Sequence, residues 1–206
     1  MSEFRVAVLA SGEGTNLQAI LDRVHGQDGI SVVGVASNKP GTRALKRAKA
    51  AGVDSAVFES GSHAGRAARD EAMADWLEER AVSLVVLAGY MELVAPGFVA
   101  RFRQRIINVH PALLPAFPGL AAIDQAYEYG VKVTGVTVHF VDEGVDSGPI
   151  ILQRAIPLSY TRDRGEIEAE IHQVEHELLP EAIKIIADGG AHFDADNRRV
   201  VLTDER

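Results

Sequence analysis

The stretch Val6-Ala7-Val8-Leu9-Ala10-Ser11-Gly12-Glu13-Gly14 near the amino terminus decides the fold. Its first five residues are apolar, and the turn that follows, with its two glycines, ends the run. Beyond the turn, apolar residues recur from Leu17 to Val24 at the spacing of one face of an α-helix. The stretch therefore predicts a buried strand, a tight turn and a helix, which together open an α/β fold.

The same alternation continues to residue 88. Strand-like apolar runs occupy residues 31–36, 53–58 and 83–88, and helical patterns occupy residues 42–51 and 65–80. Runs that are apolar on both faces are typical of central parallel strands covered by helices on each side. We predict the α/β class, a doubly wound, mostly parallel open sheet with helices on both faces and a Rossmann-type N-terminal half.

The second half contains further elements and no convincing linker. Its patterns predict strands at residues 105–110, 131–141 and 149–158, helices at 121–129 and 166–187, and a hairpin within 192–202. The apolar alternation of the strand at 131–141 changes phase at Gly135, which predicts a bulge or bend there. We expect a single domain, residues 1–206, made of halves 1–105 and 106–206.

The composition excludes several classes of function. The chain has 206 residues, is 47% hydrophobic and 24% charged, and contains no cysteine. It therefore has no disulfide, no cysteine-ligated metal and no thiol nucleophile, and an intracellular location is expected. With a net charge of −8 and no basic stripe, neither DNA nor a large RNA is an expected partner. The basic cluster from Arg43 to Lys49 is interpreted as a solvated helix face.

Membrane and export signals are also lacking in the sequence. No stretch approaches the ~18 consecutive apolar residues of a membrane span. The first five residues do not have the charged-then-apolar layout of a signal peptide. We therefore expect a cytoplasmic protein without membrane partners.

The glycine turn is the first candidate binding site. Between a strand and a helix, such a turn aims backbone N–H groups and the positive helix end at an anion. Gly14 permits close approach, and Thr15 and Asn16 offer side-chain donors. No lysine and no third glycine follow, so one phosphate suits the turn better than a pyrophosphate. The alternative is a tight turn with Thr15 as the helix cap.

Asn108 and His110 form the second candidate site. They stand two apart on a predicted strand, so both side chains point to the same side. An amide beside an imidazole can stabilise an oxyanion and move a proton. A carboxylate from the acidic loop 142–149 can orient His110. The alternatives are side chains satisfied by loop backbone and an ordinary acidic turn. His139 on the preceding strand can approach the same cleft, although a packed strand histidine is favoured.

A competing signal is the sequence His172-Gln173-Val174-Glu175-His176, which matches the inverted zinc-peptidase pattern. Such a site needs a third protein ligand well downstream, and most of the remaining chain is predicted as helix end and hairpin. A Glu175 that faces a ligand, with partly solvated histidines, accounts better for the pattern.

Four runs carry a resemblance that covers nearly the whole chain in order: Leu9 to Gln18, Val86 to Met91, Asn108 to Gly119 and Gly135 to Ile150. In these runs the chain resembles the phosphoribosylglycinamide formyltransferase family, folate-dependent enzymes of purine synthesis. The resemblance implies transfer of the formyl group of 10-formyltetrahydrofolate to the amine of N1-(5-phospho-β-D-ribosyl)glycinamide. It also implies a nucleotide-binding first half, a catalytic and folate-binding second half, and a monomer or homodimer that acts on small molecules.

The resemblance assigns roles by position and implies no metal. The catalytic residues would be Asn108, His110 and Asp146. The ribonucleotide would bind to Gly12, Gly14, Thr15, Asn16 and Glu175. Folate would bind to Arg66, Met91, Glu92, Leu93, Val94, Asp142, Glu143, Gly144, Val145 and Asp146.

Two positions depart from the family pattern. Glu92 stands where the family usually has arginine, and Ala121 and Ala122 follow Leu120 where histidine is common. The alternatives are a formyltetrahydrofolate hydrolase, another folate-dependent formyltransferase such as a formyl-methionyl-tRNA enzyme, and a module that only binds ribonucleotide or folate. Turnover of the folate without an amine acceptor would favour the hydrolase.

Overall fold

The structure is a computed structural model that describes residues 3–194 and 199–203. Its strands are β1 Phe4–Leu9, β2 Ile30–Ser37, β3 Ser55–Val57, β4 Leu84–Leu87, β5 Ile106–His110, β6 Val133–Phe140, β7 Ile150–Pro157, β8 Ala191–Asp194 and β9 Arg199–Leu202. Its helices are α1 Thr15–Arg23, α2 Arg43–Ala50, α3 Arg66–Glu79, α4 Pro96–Arg101, α5 Ala122–Tyr129 and α6 Arg164–Ala187. None of the helices in the described ranges combines the length and hydropathy needed to cross a membrane.

The strand order confirms the predicted fold class. Seven strands form one sheet in the order β3-β2-β1-β4-β5-β6-β7, and β8 pairs with β9 separately. The pairs β1–β2, β1–β4 and β2–β3 are parallel, whereas β6–β7 is antiparallel. By its contacts the chain divides into two compact units, Met1–Ile107 and Asn108–Arg206. The expected single domain with halves 1–105 and 106–206 stays a prediction.

In the unit Met1–Ile107, the central strands are apolar on both faces and fully covered. Val8 of β1 and Val86 of β4 have no exposed surface. Leu17 and Ile20 of α1 are equally buried, as the helical spacing predicted. Each such side chain contributes about 1.5–3 kcal/mol by leaving water, so these strands and helices form the core of this unit.

The unit Asn108–Arg206 contains a correction. At Gly135 the β6–β7 pairing is regular, and the register shift lies between Val138 and His139. The predicted bulge at Gly135 is therefore wrong. A Cβ at Gly135 would lie 2.2 Å from the carbonyl oxygen of Arg154 and 2.6 Å from Leu113. Glycine stands there because Arg154 of the adjacent strand and Leu113 approach closely. The apolar alternation of β6 changes phase because seven of its eight residues are buried, so both faces can carry apolar side chains.

Short elements escaped the sequence patterns. Helix α4 has six residues, of which Phe98 and Val99 are buried, and this length is too short to show helical periodicity. A single 3₁₀ turn, Ser60–Ser62, has no buried residue. The hairpin expected in 192–202 is confirmed, because β8 and β9 pair antiparallel.

Candidate active site

The loops that follow β1 and β4 are joined by hydrogen bonds. The backbone N–H of Ser11 donates to the carbonyl oxygen of Gly89 at 3.0 Å, and the N–H of Met91 donates to Ser11 Oγ at 2.8 Å. Strand β1 lies between β2 and β4, so the chain order reverses at this point of the sheet. In open α/β sheets, ligands bind in the crevice at such a reversal, outside the carboxyl ends of the strands.

The glycine loop after β1 has the geometry of an anion site. Gly14 is the N-cap of α1 with a φ of 69°, and no side chain in the described part of the structure caps this helix. A Cβ at Gly14 would lie 2.8 Å from the Cα of Ala44, so only glycine fits. Thr15 is exposed and is the first helical residue rather than the cap, whereas Asn16 is buried. The first N–H groups of α1 therefore point out of the helix without a side-chain cap.

Two arginines of α2 contact the same loop. Arg47 Nε donates to the carbonyl oxygen of Glu13 at 2.9 Å, and Arg43 Nη1 donates to Glu13 Oε2 at 2.7 Å. Arg47 also donates to Gln18 Oε1 at 2.8 Å. The interpretation of this basic cluster as a merely solvated face is therefore incomplete, because two of its members brace the glycine loop.

Within the unit Asn108–Arg206, the structure brings Asn108, His110 and Asp146 together. Asn108 Nδ2 donates to Asp146 Oδ1 at 3.3 Å, and His110 Nδ1 lies 3.4 Å from Asp146 Oδ2. The first two residues lie on β5, so they share a side of the strand, and Asp146 lies in the loop after β6. His110 is 4% exposed. The cluster thus combines an amide donor, an imidazole and a carboxylate.

Backbone groups hold this cluster in place. His110 Nε2 lies 2.8 Å from the carbonyl oxygen of Phe117, and the N–H of Gly119 donates to Asp146 Oδ2 at 2.7 Å. Phe117 and Asp146 have positive φ values of 54° and 50°. Such conformations of non-glycine residues cost about 1–3 kcal/mol each and concentrate at functional sites.

These contacts define the protonation states that fit. A carbonyl only accepts, so His110 Nε2 carries a proton, and Nδ1 faces the carboxylate of Asp146. Burial raises the pKa of Asp146, but the His139 side chain, the Gly119 N–H and the charge of His110 outweigh it, and the pKa is lowered. The site therefore suits an ionised Asp146 that faces the imidazole of His110.

His139 belongs to the same cluster. Its Nε2 lies 3.2 Å from Asn108 Nδ2 and 3.5 Å from Asp146 Oδ1. Its Nδ1 donates to the carbonyl oxygen of Phe140 at 2.8 Å, and the residue is 2% exposed. The sequence favoured a packed strand histidine, and the burial agrees. The contact with Asp146 agrees with the less favoured expectation that His139 approaches the same cleft.

The remaining acidic-loop residues lie apart from this cluster. Asp142 Oδ1 accepts from the N–H of Gly144 at 3.1 Å and from Ser147 Oγ at 2.7 Å. Glu143, Gly144 and Val145 are exposed, and Val145 is 51% exposed. Asp142 therefore shapes the loop, while Asp146 faces the histidines.

The segment after β4 exposes apolar side chains. Met91 is 60% exposed and Leu93 is 59% exposed, whereas Glu92 between them is bonded to Asn38, Ser60 and Arg69. Val94 is half-buried, and Arg66 is exposed at the start of α3. Large exposed apolar side chains side by side are typical of a surface that binds something.

Glu175 lies on α6 and is 4% exposed. Its Oε2 lies 2.9 Å from His172 Nδ1, and this hydrogen bond raises the pKa of His172. Within the described ranges, no group of three histidine or acidic side chains could hold a metal ion, so the zinc-peptidase pattern has no third ligand there. The motif instead forms an imidazole–carboxylate pair on one helix face.

Comparison with known proteins gives consistent matches. The family described as formyl transferase matches residues 4–183. The chain is 42% identical to the phosphoribosylglycinamide formyltransferase of Bacillus subtilis over 87% of this chain and 93% of that protein. It is 44% identical to the trifunctional purine biosynthetic protein adenosine-3 of Drosophila melanogaster over 91% of this chain, but it spans only 14% of that longer protein. The crystal structure of glycinamide ribonucleotide transformylase 1 from Symbiobacterium toebii superposes with a TM-score of 0.92 at 46% identity, covering 97% of this chain and 94% of that one.

Proposed function

This chain belongs to the formyl transferase family, and we propose that it is the member that formylates N1-(5-phospho-β-D-ribosyl)glycinamide in de novo purine synthesis, with 10-formyltetrahydrofolate as the co-substrate. The observation that carries the proposal is the cluster of Asn108, His110 and Asp146, anchored by backbone groups, in a chain 42% identical to a phosphoribosylglycinamide formyltransferase.

Asn108 and His110 are the proposed donors for the reacting carbonyl. The co-substrate supplies an electrophilic formyl carbon, whose oxygen gains negative charge when the substrate amine adds to it. Phe117 holds Nε2 of His110, which leaves the Nδ1 proton for that oxygen. At 3.4 Å, the contact from Nδ1 to Asp146 is longer than a strong charge-assisted hydrogen bond, so the carboxylate does not fully engage Nδ1. Donors aimed at a developing oxyanion are worth about 10²–10³ in turnover.

Asp146 is the proposed proton carrier. Its lowered pKa keeps the carboxylate ionised near neutral pH. Through water it can help to carry the proton from the substrate amine to the folate nitrogen, which leaves when its bond to the formyl carbon breaks. The same carboxylate stabilises the charge on His110 and receives the N–H of Gly119, which fixes its orientation. His139 supports Asn108 and Asp146 from the buried side.

The ribonucleotide is proposed to bind through its phosphate to Gly12, Gly14, Thr15 and Asn16 and through its ribose to Glu175. The N-terminus of α1, which no side chain in the described ranges caps, supports the phosphate assignment, because backbone N–H groups at a helix end and the helix dipole favour an anion. Folate is proposed to bind at Arg66, Met91, Glu92, Leu93, Val94 and the loop Asp142–Asp146. The exposure of Met91 and Leu93 supports an apolar part of that subsite.

The cellular setting is proposed in line with the sequence. The net charge of −8 and the absence of cysteine support small-molecule substrates rather than nucleic acid, and a cytoplasmic enzyme without a metal. A monomer or a homodimer is proposed for the oligomeric state, and sedimentation of the purified protein distinguishes the two.

A formyl-transfer assay tests the function. The release of deformylated folate is followed with and without N1-(5-phospho-β-D-ribosyl)glycinamide, using the wild-type protein and His110→Ala. Turnover that requires the acceptor and is lost in the variant supports the proposal. Folate turnover without an acceptor would instead indicate a hydrolase, and no turnover under either condition contradicts both activities.

A further inference from the structure

Arg69 of α3 is a fully buried cation. It is 1% exposed, although charged side chains are almost never fully buried unless they are paired. Its Nη2 lies 2.6 Å from Oδ1 of Asp70, which is also 1% exposed, and its Nη1 forms an ion pair with Glu92. The guanidinium thus lies between two carboxylates, one on its own helix and one on the segment after β4.

The carboxylate of Glu92 is held on both oxygens. Asn38 Nδ2, just beyond β2, donates to Oε1 at 2.7 Å. Ser60 Oγ, in the 3₁₀ turn, donates to Oε2 at 2.8 Å, and Arg69 Nη1 is 3.0 Å from the same hydroxyl. Three separate segments of the unit Met1–Ile107 therefore converge on this one side chain.

The backbone that follows Glu92 is fixed by the same group. Asp70 Oδ2 accepts from the N–H of Ala95 at 2.5 Å, and Arg69 Nη2 donates to the carbonyl oxygen of Leu93 at 3.4 Å. With Glu92 drawn inward, the side chains on either side of it, Met91 and Leu93, are held outward and are each more than half exposed. The ion pair therefore sets the direction of both apolar side chains.

This arrangement also accounts for the departure from the family pattern at position 92. An arginine at that position would place a second guanidinium against Arg69, and two like charges in a poorly solvated place repel strongly. Glutamate is the side chain that neutralises Arg69 and also accepts from Asn38 and Ser60. Position 92 in this chain is thus coupled to position 69 through space.

We infer that Arg69 and Glu92 are positioning residues for the folate co-substrate, whose side chains act by fixing Met91 and Leu93 rather than by touching the folate. The inference rests on the proposed function, because it assigns a role within the proposed folate subsite. The side chain of Glu92 differs from the exposed members of that subsite, because both its carboxylate oxygens are bound by other residues of the protein. The apolar side chains and the backbone of the segment are left for the ligand.

Two substitutions separate positioning from bulk stability. Glu92→Gln keeps the shape but removes the charge and one of the two acceptor oxygens, so Asn38 and Ser60 can no longer both donate to this side chain, while Arg69 keeps Asp70. Glu92→Arg brings like charges together, and the double variant Glu92→Arg with Arg69→Gln removes that repulsion while one guanidinium remains for Asp70. Glu78→Gln is the matched control, because it removes a more exposed ion pair with Arg101 in the same unit.

Steady-state kinetics with both substrates is the first measurement. Glu92→Gln is expected to raise KM for 10-formyltetrahydrofolate about tenfold, the effect of roughly 1.4 kcal/mol, with kcat and KM for the ribonucleotide within about twofold. Glu92→Arg should raise the KM for 10-formyltetrahydrofolate further, and the double variant should bring this KM most of the way back to the wild-type value. Unchanged folate KM in Glu92→Gln, or equal losses in all parameters, would overturn the inference.

Amide hydrogen exchange of residues 91–95 in the ligand-free protein is the second measurement. Faster exchange in Glu92→Gln and Glu92→Arg, but not in Glu78→Gln, is expected because the anchors of the segment are weakened. This readout does not depend on turnover, so it separates a failure of the positioning role from a failure of the proposed function. Exchange at the wild-type rate in both position-92 variants contradicts the positioning role.

Discussion

Ser11 Oγ accepts a 2.8 Å hydrogen bond from the backbone N–H of Met91, which ties the glycine loop after β1 to the segment after β4. Ser11 is 7% exposed, so little water can replace the hydroxyl if it is lost. One side chain therefore connects the two loops at the reversal point of the sheet.

Ser11→Ala should destabilise the protein by about 1–3 kcal/mol, because a sheltered N–H group loses its acceptor. The KM values for both substrates should rise together, since the two loops lose their shared anchor. Urea denaturation and kinetics check the two parts. Ser62→Ala, in the exposed 3₁₀ turn, should match wild type, and a Ser11→Ala variant as stable as wild type would contradict this role of the hydroxyl.

Asn108→Ala and His110→Ala should each lower kcat at least about 10²-fold, the usual cost of losing an oxyanion donor. Circular dichroism should show the wild-type fold, so that the loss reflects chemistry rather than unfolding. His192→Ala, on the exposed hairpin, is the control and should retain wild-type turnover. Turnover near the wild-type level in either site variant would show that the residue is not a donor.

Asp146 should couple stability to pH on the acid side. Its folded pKa is lowered below the unfolded value of about 3.9, so its stabilisation is present above that value and is lost as pH falls through the folded pKa. The difference in Tm between wild type and Asp146→Asn should therefore be constant above about pH 5 and shrink below pH 4. Asp142→Asn serves as a comparison from the same loop, and a difference in Tm that persists unchanged to low pH would contradict the assignment.

His172 should stabilise the protein at low pH and lose this effect as the pH rises, the opposite of Asp146. Its folded pKa is raised by Glu175, so the pair stabilises fully below the unfolded value of about 6.5 and the effect is lost as pH rises through the folded pKa. Because His172 is half exposed, the contribution should be no more than about 1 kcal/mol. His172→Gln should thus be less stable than wild type at pH 5.5 and equal at pH 9 in urea denaturation. A gap that widens with pH would disprove the direction.

Gly14 and Gly12 lie in the same loop but differ in the space around the position of a Cβ. Gly14→Ala forces a left-handed residue to carry a Cβ 2.8 Å from Ala44, and should cost about 2 kcal/mol or more. Gly12 has open space around the position of a Cβ, so Gly12→Ala should leave the free energy of unfolding nearly unchanged. Thermal denaturation of both variants measures the difference, and equal Tm values would contradict the steric explanation.

The strands and most helices could be predicted because buried positions carry apolar residues at spacings that can be seen within one short stretch of sequence. Val6 to Leu9 are apolar on both faces, and this alone indicates a covered parallel strand. Gly135 shows the limit of such prediction. A break in the apolar alternation at a glycine can mean a bulge in the strand or the close approach of another segment, and the sequence does not distinguish them. The neighbour, Arg154, is distant along the chain, so its approach leaves no mark near position 135.

The candidate site could be predicted only in part for the same reason. Asn108 and His110 stand two apart on a strand, so their shared direction follows from strand geometry. The contact of His139 with Asp146, and of Arg69 with Glu92, depends on how separate segments meet. Arg69 lies among small and charged residues of α3, and its sequence surroundings give no sign that it is buried.

The bracing of the glycine loop by α2 has a kinetic consequence. Arg43 and Arg47 set positive charge beside the loop and offset the carboxylate of Glu13, within a chain whose overall charge is −8. A phosphorylated molecule that approaches this loop is attracted by the two arginines, although the net negative charge of the chain repels it. Its encounter rate should therefore fall as ionic strength rises, while its orientation after arrival is set by the backbone.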